Sequence, residues 1–276
     1  MELERNLKTI TAQGYGLCAI SYDSVEILHN FAERRGITYP LLSDPDSSII
    51  RSFGLFNEQV APDSRDYGIP HPGIFLVDAG GIVRERFFEE KYWNRITTPS
   101  VFWRLGLDLA ATASAVEREH LRIRTAASDE TVSPGNRFTL FVDVELAPGV
   151  HVYGPDVGGG YQGLALAIDP PAHILSHAPV YPPAAQLRLP WTDERLTGYA
   201  RSFRVAVDIS LGTRLELAPL LEAGHGLRIP GMLRLQACDN RVCWAPEAIP
   251  LVWLIGLRPP DLERVPEPLR HNAKAS

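Results

Sequence analysis

Apolar positions in the first hundred residues switch between helical and strand spacing. Leu3, Leu7 and Ile10 fall at i, i+4 and i+7 and Gly14 follows, which predicts an opening helix. Tyr15 to Ser21 is a continuous apolar run, the pattern of a strand buried on both faces. Asp23, with Glu26 three residues later, predicts a capping box for a second helix. Val25, Leu28, Phe31 and Ala32 form its core face and Gly36 ends it. Tyr39 to Leu42 reads as a short strand. Asp44 or Asp46 then caps a short third helix, with Gly54 as its stop. Ile74 to Val77 and Ile82 to Phe88 predict a hairpin around Asp78-Ala79-Gly80-Gly81. Arg84 and Arg86 alternate with Val83 and Glu85 on its solvated face. A helix is expected near Asn94 to Leu109. Helices alternating with buried strands argue for an α/β layer fold.

The period changes after about residue 119. Leu121 to Arg124 and Phe138 to Glu145 alternate apolar with polar. Further strand-like runs lie at Leu164–Ile168, Phe203–Ile209, Leu227–Ala237 and Ile249–Ile255. Turn clusters such as Ser133-Pro134-Gly135, Gly158-Gly159-Gly160 and Pro182-Pro183 separate them. Short strands with regular turn signals predict an all-β sandwich. The small and polar stretch 110–119 reads as a linker. Residues 258–276 read as a mobile tail containing prolines. The expected organisation is therefore 1–109, a linker at 110–119, a sandwich at 120–257, and the tail.

Composition narrows the function. A chain of 276 residues has the length of two domains at ~100–200 residues each. The net charge of −6 offers no basic field for nucleic acid or anionic lipid. No apolar run approaches the ~20 residues of a membrane helix, so no membrane span is expected. Met1-Glu2-Leu3-Glu4 is acidic at once, unlike an export signal. The chain as given reads as cytoplasmic by default. It reads as periplasmic if the true start lies upstream. Three cysteines are too few for a disulfide scaffold.

Chemistry concentrates at Gln236-Ala237-Cys238-Asp239-Asn240-Arg241-Val242-Cys243-Trp244-Ala245-Pro246. A four-residue loop between antiparallel strands places its flanking residues ~4.5–5.5 Å apart at Cα, close enough for a disulfide. Zinc favours four ligands, and His225 is the nearest histidine, so no metal or other cofactor is expected. A loop this short adds only ~2 kcal/mol through unfolded-state entropy, a weak reason for a structural staple. A redox role and a structural one both remain open on these residues alone. Cys18, inside Leu17-Cys18-Ala19-Ile20, reads as a buried core cysteine.

Two resemblances follow. Ile20-Ser21-Tyr22-Asp23-Ser24, Phe31, Tyr39-Pro40-Leu41-Leu42-Ser43-Asp44-Pro45, Gly68-Ile69-Pro70 and Phe75-Leu76-Val77-Asp78 resemble the redoxin family, the peroxiredoxins of AhpC/TSA type. The resemblance implies a thioredoxin-like fold. In that family a strand and the loop bearing the reactive cysteine precede the helix with which this chain opens, so this domain is expected to be truncated at its N-terminus. Pro72 stands where peroxiredoxins carry an arginine, and resembles instead the cis-proline of thiol–disulfide redoxins.

Gln236, Cys238, Cys243, Trp244, Pro246 and Pro250-Leu251 are similar to the reactive hairpin of the N-terminal domain of DsbD-type disulfide reductases, an immunoglobulin-like sandwich. His151-Val152-Tyr153 and the glycine-rich loop to Tyr161 also fit. The resemblance implies dithiol–disulfide exchange through Cys238 and Cys243, supported by Trp244, Pro246, Gln236 and Pro72, with a thioredoxin-like or other thiol–disulfide protein as partner. Trp191-Thr192-Asp193-Glu194 corresponds to the family's cap loop. The alternatives are a non-catalytic docking module on a vestigial redoxin scaffold, or a fragment of a longer peroxiredoxin-like protein.

Overall fold

The structure is a computed structural model describing residues 2–64, 67–89, 94–107, 111–187, 196–224 and 226–260. It is built mostly of strands, with a few helices. The chain divides into two compact units, Met1–Thr98 and Pro99–Pro260.

The first unit runs α1 (Glu2–Ala12), β1 (Ala19–Ser21), α2 (Val25–Arg35), β2 (Leu41–Ser43), α3 (Ser48–Ser52), β3 (Gly73–Val77), β4 (Val83–Phe88) and β5 (Arg95–Ile96). β1 pairs parallel with β2, and β3 pairs antiparallel with β4. The cap of α2 is Ser24, one residue beyond the expected Asp23. Its hydroxyl accepts the Ile27 N–H, while the Asp23 carboxylate accepts the Ser21 hydroxyl instead. Gly36 ends α2 in the left-handed conformation at φ 59°, which glycine adopts without a Cβ penalty. At α3 both expected aspartates cap. Asp44 accepts the Ile49 and Ile50 N–H groups, and Asp46 accepts that of Ser48. The Asp78 carboxylate accepts the Gly80 and Ile82 N–H groups and closes the β3–β4 turn.

Two expectations change here. Tyr15 to Ser21 is a strand over only three residues, and its Ile20 is exposed alongside Leu42, its neighbour in β2. Cys18 lies just before that strand and is exposed, not core. A three-residue strand paired with one neighbour among the described residues stays half-buried at best. The helix near Asn94 to Leu109 shortens to α4 (Thr98–Arg104).

The second unit continues with β6 (Ala111–Glu117), β7 (Leu121–Ala127), β8 (Thr131–Val132), β9 (Asn136–Leu146), β10 (His151–Tyr153), β11 (Ala165–Ile168), β12 (Ile174–Ser176), β13 (Ala185–Leu187), β14 (Leu196–Tyr199), β15 (Phe203–Leu211), α5 (Ala218–Glu222), β16 (Leu227–Leu235), β17 (Ala237–Cys238) and β18 (Glu247–Leu257). Strands β12, β15, β9, β7 and β6 lie side by side in one antiparallel sheet. A second sheet has the order β11, β16, β18, β8, and a third the order β13, β14, β10, β17.

Ile123, Leu140, Val142 and Val207 of the first of these sheets share one apolar cluster with Ile229, Leu233, Ile249 and Trp253 of the second. Trp253 is fully buried, and its indole N–H donates to the Ala126 carbonyl at 3.0 Å. The stretch 110–119, read as a linker, instead holds β6, paired with β7, with Val116 against the core. The division between units falls earlier, at Thr98–Pro99. Alternation of small residues suits an edge strand as well as a joint, and composition does not separate the two. The tail is described only to residue 260. The rest lies outside the described residues.

Candidate redox site

The site stands where β16 runs into β17 and turns back toward β18. Cys238 and Cys243 face each other across an isolated antiparallel bridge and are joined by a disulfide, with Cα atoms 4.0 Å apart. That spacing lies slightly below the expected window. The loop between them is tightly tied. Asp239 Oδ1 accepts the backbone N–H groups of Arg241 and Val242, both at 2.7 Å, and the Asp239 N–H donates to the Val242 carbonyl. The two amides, Val242 before Arg241, hold the Asp239 carboxyl below the usual carboxylate range. Below the loop, the Trp244 N–H donates to the Ala237 carbonyl at 3.0 Å.

The two sulfurs are not equivalent. Cys238 is fully buried, packed with Tyr153, Leu187 and Leu196, and Val157 and Tyr161 lie against that cluster. Cys243 is exposed, beside exposed Val242. Tyr153 is itself fully buried, and its hydroxyl lies 3.4 Å from Cys238 Sγ and 3.7 Å from Cys243 Sγ. A disulfide sulfur carries no hydrogen, so the phenol is the donor. The Tyr161 ring tilts against Tyr153 at 4.7 Å.

Close backbone approach fixes Tyr153. It faces Gly198 of β14, where a Cβ would meet the Val152 carbonyl oxygen and come within 3.1 Å of Tyr153 Cα. Only glycine admits that spacing. His151, two residues before, sits opposite Cys238 in the β10–β17 register. Its ring meets Tyr153 edge-on at 5.6 Å. Burial pushes the His151 imidazole below its ordinary value, while the Asp239 charge pulls the other way.

The expected supporting residues divide. Gln236 bridges the site: its amide N–H donates to the Trp244 carbonyl at 3.1 Å, and its carbonyl accepts the Gln162 N–H at 3.2 Å. Trp244 is half-buried and stacks on His120. Pro246 is exposed and leads into β18. Pro72 belongs to the first unit, before β3. It follows a trans peptide, since no described peptide bond is cis, so the cis-proline expectation fails. The cap-loop assignment at Trp191 to Glu194, and His225, the histidine nearest the cysteine pair in sequence, lie outside the described residues. Among the described residues no cluster of three or more His, Cys, Asp or Glu is gathered as a metal site. Tyr153, Gly198, Asp239 and His120 were not singled out as site residues by spacing. Strand register brings Tyr153 and Gly198 to the hairpin, a ring stack brings His120, and Asp239 sits in the loop between the cysteines.

Comparison with known proteins gives two separate matches. Residues 1–86 match the AhpC/TSA family, and residues 120–249 match the family described as thiol:disulfide interchange protein DsbD, N-terminal. The chain is AhpC/TSA-like at its start and DsbD-like around its cysteine pair. Peroxiredoxin Bcp of Escherichia coli is 33% identical over 92 residues, covering 33% of this chain and 58% of that protein. The protein named Putative peroxiredoxin Rv2521, of Mycobacterium tuberculosis, is 35% identical over 80 residues, covering 28% and 48%. The chain thus spans about half the length of the curated relatives it matches. The crystal structure of the N-terminal periplasmic domain of ScsB from Proteus mirabilis covers 51% of each chain at 17% identity and a TM-score of 0.36, too low to carry an argument. The redoxin-like and DsbD-like matches, with the Cys238–Cys243 disulfide, point to thiol–disulfide redox chemistry. No described helix is long and apolar enough to cross a membrane.

Proposed function

We propose that the DsbD-like unit, an immunoglobulin-like sandwich, exchanges electrons with a thiol–disulfide protein through Cys238 and Cys243, and that the redoxin-like unit is a thioredoxin-type module in the same chain. The observation that carries this reading is the asymmetric disulfide: one cysteine exposed, the other fully buried with a hydroxyl donor 3.4 Å from its sulfur.

The asymmetry assigns roles. A partner thiolate attacks Sγ of Cys243, the exposed cysteine, and forms a mixed disulfide. The Cys238–Cys243 bond breaks and its electron pair leaves on Cys238. Burial disfavours that thiolate, and the Tyr153 hydroxyl is placed to donate to it until it takes a proton. A second partner thiol then attacks the partner's own sulfur in the mixed disulfide and releases Cys243 as a thiol. The pair gains two electrons and two protons, and the partner dithiol becomes a disulfide. The reverse sequence oxidises the pair.

Equilibration of the whole chain in thiol–disulfide buffers, with mass-spectrometric trapping of the Cys238/Cys243 state, tests the reading. An exchange-active pair titrates above about −300 mV. A pair that remains oxidised below that potential is a structural staple, and the reading falls.

A further inference from the structure

Trp244 directly follows the exposed cysteine, and its ring is held from another sheet. His120, at the entry to β7, lies face to face with Trp244, ring centroids 4.3 Å apart and planes 8° from parallel. The His120 ring is buried, and its backbone is fixed where its carbonyl accepts the Ala147 N–H at 3.0 Å. Its Nε2 points to Glu247 Oε1 at 3.3 Å, close for an ion pair but outside hydrogen-bond geometry. The other Glu247 oxygen accepts the Arg118 Nε–H at 2.9 Å. Glu247 therefore lies between the Arg118 guanidinium and the imidazole edge, and the imidazole face lies on Trp244. The Trp244 backbone is already pinned on both sides, to Ala237 and Gln236. The ring itself packs against the apolar core on one side and stacks on His120.

We propose that His120 is a positioning residue for the reactive hairpin, holding the Trp244 ring by a flat stack so that Cys243 keeps its open orientation. The proposal rests on the redox reading of the pair and deepens it. Simple core filling asks only for apolar volume, which leucine supplies as well as an aromatic ring. A clamp asks for a flat ring, which phenylalanine supplies and leucine does not.

The test compares the whole chain with His120→Leu and His120→Phe. The readouts are the rate at which dithiothreitol reduces the pair and the Trp244 emission, taken as the difference from a Trp244→Phe background. His120→Leu is expected to change the reduction rate about tenfold and to shift Trp244 emission, because a displaced reactive group loses aligned encounters. His120→Phe is expected to remain within about threefold of the unaltered chain, because stacking survives. Equal behaviour of the two variants, or a leucine variant that matches the unaltered chain, overturns the clamp. Urea unfolding of each variant by far-ultraviolet circular dichroism separates loss of the stack from loss of the fold, and a His120→Leu chain that is folded yet matches the unaltered chain in rate and emission overturns the clamp. Dithiothreitol opens a structural disulfide as well. A pair titrating below about −300 mV therefore removes the redox reading while this comparison still decides the clamp.

Discussion

At the scale of single residues the site depends on what surrounds a pair of sulfurs. Tyr153→Phe removes the one hydroxyl within reach of both sulfurs among the described contacts and keeps the ring against Tyr161. A hydrogen bond to a charged group is worth about 1.5–3 kcal/mol, so reduction of the disulfide should slow roughly tenfold to a hundredfold. Stopped-flow reduction of the folded variant checks it, and an unchanged rate would remove Tyr153 from the mechanism. His151 and His177 set a pH dependence. Burial holds both imidazoles below their ordinary value of about 6.5, so the unfolded chain takes up protons first as pH falls. Stability is therefore full above about pH 6.5 and declines below it. His151→Gln should flatten urea midpoints measured between pH 7.5 and 5.5, and a variant with the original slope would contradict this. The cysteine pair itself was legible from its four-residue spacing. Tyr153 was not legible as a donor, because it lies 85 residues from Cys238 and only the β10–β17 register joins them. Cys18 misled for the opposite reason: an apolar neighbourhood in sequence does not ensure a covering layer in space.

At the scale of elements the clearest organiser is a carboxylate. Asp208 of β15 accepts Arg137 Nε and Nη2 from β9 at 3.0 and 2.8 Å, the Thr139 hydroxyl at 2.9 Å, and Arg104 of α4. The Ser100 hydroxyl, also on α4, meets that of Ser128 at 2.9 Å. A seven-residue helix has little stability of its own. This polar network, with Val101 and Phe102 buried, holds α4 against the sheet. Asp208→Ala removes the carboxylate that Arg104, Arg137 and Thr139 share and should cost about 3 kcal/mol. Denaturant unfolding measures the loss, and a change under about 0.5 kcal/mol, the level of an ordinary surface substitution, would show the network to be incidental. Long strands such as β9 and β15, of eleven and nine residues, were readable because each carries a strand-like run of seven or eight residues. β10, β13, β14 and β17 run two to four residues, too short for a period, and two of them carry the site. The length of α4 was overestimated because apolar spacing continues past Arg104 while the helix does not.

At the scale of the whole molecule the two units carry different kinds of order. The second is organised around a continuous core that includes Trp253, Phe138 and Leu140. The first holds two short strand pairs among the described residues, β1 with β2 and β3 with β4, with Ile20, Leu42, Val77 and Val83 exposed. The change of period near residue 119 was visible in the sequence. The point of division was not, because an edge strand of small residues imitates a joint. The hairpin that carries the sulfurs is an extension of β16, one of the strands that fill the core. Oxidation and folding therefore form a closed thermodynamic cycle. Whatever free energy the disulfide adds to the folded state must reappear as a lower reduction potential of the pair in the folded chain than in the unfolded one. For a loop this short the addition is about 2 kcal/mol, or about 40 mV, so a substitution anywhere in the core that weakens the oxidised form more than the reduced form changes the potential without touching a sulfur.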